Sequence, residues 1–194
     1  WPKELVTGLG GRYRMIHGGY EMDGREISAL SEDELLQAVR ELRSEGAQEI
    51  ALSSVFSTVR SDMEQQAFDI IAKAFPEQSV TKSTDIGRLG LLERENAAII
   101  NGALRPLAAD VVESFLVLAQ ELNLKCPLYF TKNDGTLISA DQVSRLPVLT
   151  FACGPTNSMR GAAFLSGIKD GLVADVGGTT LDVGEVQNGF PRPA

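Results

Sequence analysis

Hydrophobic and polar positions follow two different periods in the first part of the chain. Two segments, residues 31–45 and 61–75, repeat apolar side chains at helical spacing, and each begins with a Ser-x-x-Glu capping box. Short apolar runs at 49–55 and 79–83 follow them and predict buried strands. With a hairpin predicted at 20–27, the order strand, helix, strand, helix, strand indicates right-handed crossovers and a mainly parallel sheet.

A longer helical zone comes next and divides the chain. It covers about 91 to 123, with an interruption expected near Pro106, and its later part is strongly apolar. Beyond it, a strand at 126–131 and a further helix precede a final hairpin. We therefore predict an α/β fold with mixed, mainly parallel sheets and flanking helices, divided into two incomplete regions, 1–123 and 124–194.

The final hairpin carries the densest group of chemically active residues. An apolar strand and an alternating strand enclose the sequence Asp-Val-Gly-Gly-Thr-Thr-Leu-Asp. We expect the glycines to adopt positive φ and expose N–H groups to phosphate oxygens, while the hydroxyls add hydrogen bonds and the acids hold a hydrated metal ion. The alternative is a tight turn in which Asp and Thr fill turn positions. The candidates are Asp175 and Asp182 for catalysis and metal binding, and Gly177, Gly178, Thr179 and Thr180 for cofactor phosphates.

Three further segments have residues that could contact a ligand. Arg94 and Asn101 are seven residues apart on one side of a helix, where they form either a buried hydrogen-bonding arrangement or part of a ligand site. Asn133 and Asp134 follow a predicted strand, in a polar loop that is either a plain turn or a ligand loop. Gly154 opens a helix and leaves its N-terminal amides accessible to an anion.

Composition excludes several classes of function. The net charge of −8 and the absence of a basic run argue against a nucleic-acid surface. No apolar run is long enough to span a bilayer and no signal peptide leads the sequence, so we expect a cytoplasmic protein. Cys126 and Cys153 are expected to be reduced, buried thiols, and the single histidine, His17, a surface or packing residue. Both ends look cut, which indicates a piece of a longer protein.

Several motifs carry a family resemblance. Residues 175–183 resemble the second phosphate motif of the actin, Hsp70 and sugar-kinase ATPase superfamily, an Asp-x-Gly-Gly-x-Thr-x-Asp hairpin. Together with this hairpin, segments 91–101, 133–135, 154–163 and 188–192 resemble, in the same order, the ATP-using A-type chain of the hydantoinase/oxoprolinase family. The resemblance covers most of the chain from about residue 31, and it implies part of an actin/Hsp70/sugar-kinase-like ATPase fold.

The resemblance also implies a reaction. Enzymes of this family use ATP to open a cyclic amide or imide, such as a hydantoin or 5-oxoproline, usually with a B-type partner subunit or domain. ATP would phosphorylate the ring carbonyl oxygen so that water can attack, a step that depends on positioning and charge neutralisation. On this basis ATP and Mg²⁺ are the expected cofactors, and assembly into a homo-oligomer is possible. The substrate-binding candidates are Arg94, Asn101, Asn133 and Asp134.

Two departures from the family pattern limit what this chain is expected to do alone. The family's first phosphate motif, Asp-x-Gly-Gly-Thr-x-x-Asp, is not found before residue 31, and the second nucleotide-binding lobe is missing. The piece by itself is therefore expected to bind ATP weakly and not to turn over. An actin- or Hsp70-like nucleotide switch and a small-molecule kinase are the alternative functions, because their phosphate hairpins have much the same sequence.

Overall fold

The computed structural model describes residues 1–87 and 90–192. The chain divides into two compact units, Trp1–Leu104 and Arg105–Ala194. In the described part of the chain, no helix is both long enough and apolar enough to cross a membrane.

The first unit is a small α/β layer. Its elements are α1 (Lys3–Gly8), α2 (Glu32–Ser44), β1 (Glu49–Leu52), α3 (Asp62–Ala74), β2 (Ser79–Lys82), a 3₁₀ turn (Ser83–Asp85) and the first part of α4 (Leu91–Glu121). β1 and β2 are parallel, with Glu49 opposite Ser79 and Leu52 opposite Lys82. The apolar faces of α2 and α3 cover this pair, and the buried core consists of Leu35, Val39, Ile50, Ala67 and Ile71.

The two predicted capping boxes have different outcomes. Ser31 caps α2 as expected, because its Oγ accepts a hydrogen bond from the Glu34 amide at 3.3 Å. Ser61 forms no such bond before α3, so this part of the prediction is wrong. Ser61 already has helical backbone angles, φ −91° and ψ −4°, and the Glu64 side chain turns into the protein interior.

The predicted first strand of the parallel sheet is reduced to a turn. Around Asp23-Gly24, the Gly24 amide donates to the Glu21 carbonyl at 2.9 Å. A single antiparallel bridge joins Tyr20 to Glu26, and no ladder extends from it. The hairpin prediction therefore holds for the turn, and the parallel sheet of the first unit has two strands in the described residues.

The second unit combines two antiparallel sheets with helices. Its elements are the later part of α4, β3 (Tyr129–Thr131), β4 (Leu137–Ser139), α5 (Ala140–Arg145), a 3₁₀ turn (Pro147–Thr150), α6 (Cys153–Ser166), β5 (Gly171–Val176), β6 (Leu181–Gln187) and β7 (Phe190–Pro191). Val112, Ile138 and Val143 form a buried cluster between α4, β4 and α5. α6 packs on the sheet β5–β6–β7.

The α/β class with mixed sheets is confirmed, but parallel pairing is less extensive than predicted. Among the described strands only β1 and β2 are parallel. The other paired strands, β3–β4, β5–β6 and β6–β7, are joined by connections of two to five residues, which can link only antiparallel neighbours. A parallel arrangement needs a crossover of a dozen or more residues, and the segment that contains α3 provides it between β1 and β2.

Two local predictions also need correction. α4 is continuous from Leu91 to Glu121 with Pro106 inside it, although an interruption was expected there. Buried positions on both sides of the proline, Ala98 and Val112, show that packing outweighs the local cost of a helical proline. Cys126 is exposed and Cys153 only half-buried, so the expected buried thiols are not found, although both are free. Cys126 is in the connection before β3 and belongs to neither of the two buried clusters described above.

Candidate functional site

The β5–β6 hairpin brings the predicted phosphate residues together. Asp175 and Asp182 are direct cross-strand partners, and Val176 pairs with Leu181 just before the turn. The strands are therefore in the register that places both carboxylates at the same level on the same face of the hairpin. The turn between them consists of residues 177–180, and its two threonines are exposed.

The turn itself differs from the prediction in its backbone. The Gly177 amide donates to the Thr180 carbonyl at 3.0 Å and closes the turn. Neither Gly177 nor Gly178 has a positive φ, so the expected left-handed glycines are wrong. Glycine is favoured at 177 for a different reason: a Cβ there would lie 3.2 Å from the Thr180 carbonyl oxygen, which is a tight contact. At Gly178 a Cβ would meet nothing within 4 Å, so this backbone is open to the outside.

The pairing of Asp175 with Asp182 has an electrostatic cost. Like charges directly opposite each other in an antiparallel pair destabilise it. Among the described residues, neither carboxylate takes part in a hydrogen bond or an ion pair that would offset the repulsion. Both side chains are half-buried on the face of the hairpin that also carries Val186, which is 2% exposed. Such an uncompensated pair has the oxygen ligands that a divalent cation prefers.

A second possible anion contact is the start of α6. Its N-cap, Ala152, is left-handed at φ 56°, and no side chain caps the first turn. Gly154 is exposed, and a Cβ there would meet nothing within 4 Å. The N-terminal amides of this helix are thus uncapped by side chains, at the end where the helix dipole favours negative charge.

The polar loop after β3 is held tightly by its own side chains. The Asp134 carboxylate accepts from the Thr136 amide at 2.9 Å, from the Thr136 hydroxyl at 2.6 Å and from Lys132 Nζ at 2.9 Å. Burial alone would raise the pKa of Asp134, but the hydrogen bonds from Thr136 and Lys132 outweigh it and lower the pKa to about 2. The Asn133 carbonyl accepts from Thr156 Oγ1 at 2.9 Å, which attaches the loop to α6. Asp134 is therefore ionised and serves as the organising acceptor of a turn.

Arg94 and Asn101 lie in the first unit, inside a buried polar network. Arg94 is 3% exposed, and its Nη1 donates to Ser57 Oγ at 2.7 Å and to Ser83 Oγ at 2.8 Å. Asn101 is fully buried, and its Nδ2 donates to Thr81 Oγ1 at 3.0 Å. Of the two sequence interpretations, the geometry favours the buried hydrogen-bonding arrangement.

Glu64 is the centre of this network and was not predicted. Its carboxylate, 2% exposed, accepts from the Ser54 amide at 2.9 Å, from Ser83 Oγ at 2.8 Å, and from the amide and hydroxyl of Thr84 at 3.1 and 3.0 Å. Arg94 Nη1 lies 4.0 Å from it. Four hydrogen bonds and a nearby guanidinium offset the cost of burying the charge. Ser54 and Ser83 follow the carboxyl ends of β1 and β2. A serine after each strand was therefore the sequence signal that could have indicated this polar network.

His17 is an exposed residue whose Nδ1 lies 3.0 Å from a Glu34 carboxylate oxygen, in agreement with a surface role.

Within residues 1–87 and 90–192, no three His, Cys, Asp or Glu side chains are grouped closely enough to hold a metal ion by themselves. A cation at the hairpin would therefore take the rest of its ligands from water or from phosphate oxygens.

Comparison with known proteins assigns the family. The hydantoinase/oxoprolinase family description matches residues 94–193, and that of the hydantoinase/oxoprolinase N-terminal region matches residues 7–75. The chain belongs to the hydantoinase/oxoprolinase family. This confirms the resemblance that was inferred from the motifs around Arg94, Asn133, Gly154 and Asp175.

Two individual relatives share a quarter of the aligned residues with this chain. The chain is 25% identical, over 94% of its length, to the caprolactamase subunit alpha of Pseudomonas jessenii. It is also 25% identical, over 84% of its length, to the acetophenone carboxylase gamma subunit of Aromatoleum aromaticum. It spans about a quarter of each of these relatives, 26% and 23% of their lengths.

Solved structures agree with this assignment. The crystal structure of the ATP-dependent caprolactamase from Pseudomonas jessenii superposes with a TM-score of 0.76 at 25% identity, over 87% of this chain and 25% of that one. The nucleotide-free structure of acetone carboxylase superposes with a TM-score of 0.67 at 24% identity, over 89% of this chain and 25% of that one, which supports the fold alone. The fold is thus that of a segment of these ATP-dependent enzymes.

Proposed function

We propose that the intact protein carrying this chain is an ATP-dependent enzyme that opens a cyclic amide or imide. The observation that supports this most directly is the uncompensated pair Asp175 and Asp182 beside an open glycine turn. A bound divalent cation would neutralise this repulsive pair of carboxylates. Mg²⁺ together with nucleotide phosphates is the cation that suits an oxygen-only site completed by water. An actin/Hsp70/sugar-kinase-like ATPase fold around this hairpin is part of the same proposal.

Each hairpin residue has a role in this proposal. Asp175 and Asp182 would hold hydrated Mg²⁺, or one of them would orient the attacking water. The Gly178 amide and the hydroxyls of Thr179 and Thr180 would contact phosphate oxygens, since all three are exposed at the turn. ATP supplies the phosphoryl group that activates the ring carbonyl. The uncapped amides at Gly154 would bind a further phosphate oxygen.

The four substrate candidates divide into two groups. Asn133 and Asp134 lie on a surface loop that α6 supports, and we keep them as residues that face the substrate. Arg94 and Asn101 are enclosed by protein, so we assign them to holding the ends of β1 and β2 in place. In this arrangement Arg94 and Asn101 would not touch the ring.

Two features of the relatives guide the choice of substrate and partner. One relative is named a caprolactamase, and a caprolactam is a cyclic amide. Both curated relatives are named as subunits, so we propose that a partner subunit of the B type completes the enzyme. The second relative is named a carboxylase, which makes ATP-dependent carboxylation of a ketone the second candidate function.

ATP hydrolysis by the intact protein with its partner subunit tests the proposal. Phosphate release would be measured with caprolactam, hydantoin, N-methylhydantoin and 5-oxoproline, and with acetophenone plus bicarbonate. We expect phosphate release that depends on one of the rings. The rate should fall about 100-fold or more in Asp175→Asn, because the variant loses the carboxylate that would hold Mg²⁺ or orient the attacking water. The exposed Asp141 on α5 gives a matched control, and Asp141→Asn should keep full activity.

The other outcomes separate the alternatives. Release that requires the ketone and bicarbonate would support the carboxylase. Hydrolysis that ignores small molecules but responds to a protein would support a nucleotide switch, and a stable phosphorylated product would support a kinase. Full activity in Asp175→Asn would mean that the hairpin is only a structural turn.

A further inference from the structure

Arg160 of α6 holds the turn that joins β6 to β7. Its Nη1 donates a hydrogen bond to the Gly189 carbonyl, and its guanidinium carbon lies 4.0 Å from the centre of the Phe190 ring. Asn188 and Gly189 form this turn with φ of 52° and 78°. The Gly189 amide donates to the Lys169 carbonyl at 2.7 Å, so both polar groups of the glycine are fixed.

The same helix supports two other segments of the proposed site. Thr156, one turn before Arg160, is bonded to the Asn133 carbonyl. A Cβ on Gly135 would lie 3.2 Å from Arg160 Cγ and 3.2 Å from Thr156 Cγ2, so the loop rests directly on α6. On the neighbouring residue, the Met159 methyl group occupies the space that a side chain at Gly184 of β6 would need.

α6 therefore supports two segments, the loop at 133–135 and the hairpin that carries the two aspartates, and its own N-terminus lies at Gly154. Six residues separate Gly154 from Arg160, about 9 Å along a helix. Movement of the hairpin on α6 would change the distance between its turn and the N-terminal amides. A phosphate bound at the turn would then lose its alignment with the rest of the site.

We infer that Arg160 is a positioning residue, which fixes the sheet β5–β6–β7 on α6 and so holds the turn at 177–180 in place for the nucleotide phosphates. This role rests on the proposed ATP-binding function. A guanidinium suits it because it can donate to a carbonyl in its plane while its face lies on an aromatic ring. A lysine at this position could keep the positive charge near the ring but not the planar geometry.

The experiment compares variants of the intact protein in its complex. Arg160→Ala should weaken ATP binding about tenfold and lower kcat by about ten- to 100-fold, because a displacement of about 1 Å is enough for such losses. Binding of AMP should change less than ATP binding, since the lost contacts are to the outer phosphates. Arg160→Lys should recover part of the affinity. The control is Arg192→Ala, because Arg192 forms an exposed ion pair with Glu185 on the same sheet.

The role is contradicted if Arg160→Ala lowers the melting temperature but leaves ATP affinity and kcat as in the wild type. If Arg160→Ala does not fold, Phe190→Leu removes the ring and keeps the hydrogen bond. In that case unchanged ATP affinity in both Phe190→Leu and Arg160→Lys would overturn the inference. A wild-type complex that binds no nucleotide would overturn the proposed function and this role together, whereas normal wild-type binding with unaffected variants would overturn the role alone.

Discussion

A single side chain, Asp134, determines the shape of the loop after β3. Its carboxylate collects two hydrogen bonds from Thr136 and one from Lys132 within a five-residue segment. Charged acceptors form stronger hydrogen bonds than neutral ones, so the loop is most stable when this carboxylate is ionised. The lowered pKa of Asp134, about 2, expresses the same preference.

Asp134→Asn should therefore show a stability difference from the wild type that depends on pH. The folded pKa of about 2 lies below the ordinary value of 3.8, so the ionised carboxylate contributes stability above pH ~4 and loses it as the pH falls through 2. Urea unfolding of the chain should give a constant difference between the two proteins from pH 7 to about pH 4.5, and a smaller one by about pH 2.5.

Thr136→Val provides the control for this experiment. It removes one donor to Asp134, so the folded-state pKa of the carboxylate rises. The difference in unfolding free energy between Thr136→Val and Thr136→Val/Asp134→Asn should therefore be smaller at pH 7 and should reach its low-pH limit at a higher pH than in the wild-type pair. A difference between wild type and Asp134→Asn that is the same at pH 7 and pH 2.5 would contradict the assigned hydrogen bonds.

The turn role of Asp134 could be predicted from the sequence because its hydrogen-bond partners, Lys132 and Thr136, are two positions away. Glu64 could not, because its partners Ser54, Ser83 and Thr84 lie 10 to 20 residues away along the chain. The local pattern even indicated the wrong partner, since a capping box would turn Glu64 back toward Ser61. The conflict between a local signal and a buried role is resolved only by the tertiary contacts at the ends of β1 and β2.

At the scale of elements, the contact between α6 and β6 depends on a glycine. Gly184 sits in the middle of β6, and the end of the Met159 side chain fills the space beside it. Methionine is flexible, so this contact can adjust, but only by leaving part of the helix-strand interface less well filled. The position of the hairpin on α6 therefore depends on the absence of a side chain at residue 184.

Gly184→Ala should destabilise the chain by about 1–2 kcal/mol, because the new methyl group displaces Met159 from its packed position. The double variant Gly184→Ala/Met159→Ala should be no less stable than Met159→Ala alone, since the clash is then absent. Gly161→Ala is the matched control within α6, where a Cβ meets nothing within 4 Å. It should stabilise by about 0.5–1 kcal/mol through helix propensity. Additive losses in the double variant would show that Met159 is not the cause.

The elements themselves were predictable where one local pattern agreed with packing. α2 and α3 lie close to their expected ranges because apolar periodicity and burial coincide there. α4 shows the limit of this reasoning, since Pro106 signals a break that buried contacts on either side prevent. The position of the hairpin was predicted from its strands and glycines, but the conformation of its turn was not. The backbone angles of Gly177 and Gly178 follow from the hydrogen bond that closes the turn at Thr180.

At the scale of the whole chain, the β5–β6 hairpin has two unlike faces. The face on α6 carries Val173, the two aspartates and Val186. The opposite face exposes four large apolar side chains to between 60 and 81%: Leu172, Val176, Leu181 and Val183. Because these residues alternate along paired strands, they form one continuous apolar patch. Patches of this kind promote association of isolated polypeptides in water.

The isolated 194-residue polypeptide should therefore self-associate through this patch in a concentration-dependent manner. Val176→Thr/Val183→Thr should shift it toward monomer in sedimentation velocity and reduce binding of a hydrophobic dye, with little change in the free energy of unfolding, because threonine suits exposed strand positions. Val186→Thr, on the buried face, is the matched control and should cost about 1–3 kcal/mol without reducing association. A wild-type polypeptide that stays monomeric at every concentration, or a double variant that unfolds more easily than Val186→Thr, would show that this face is already covered.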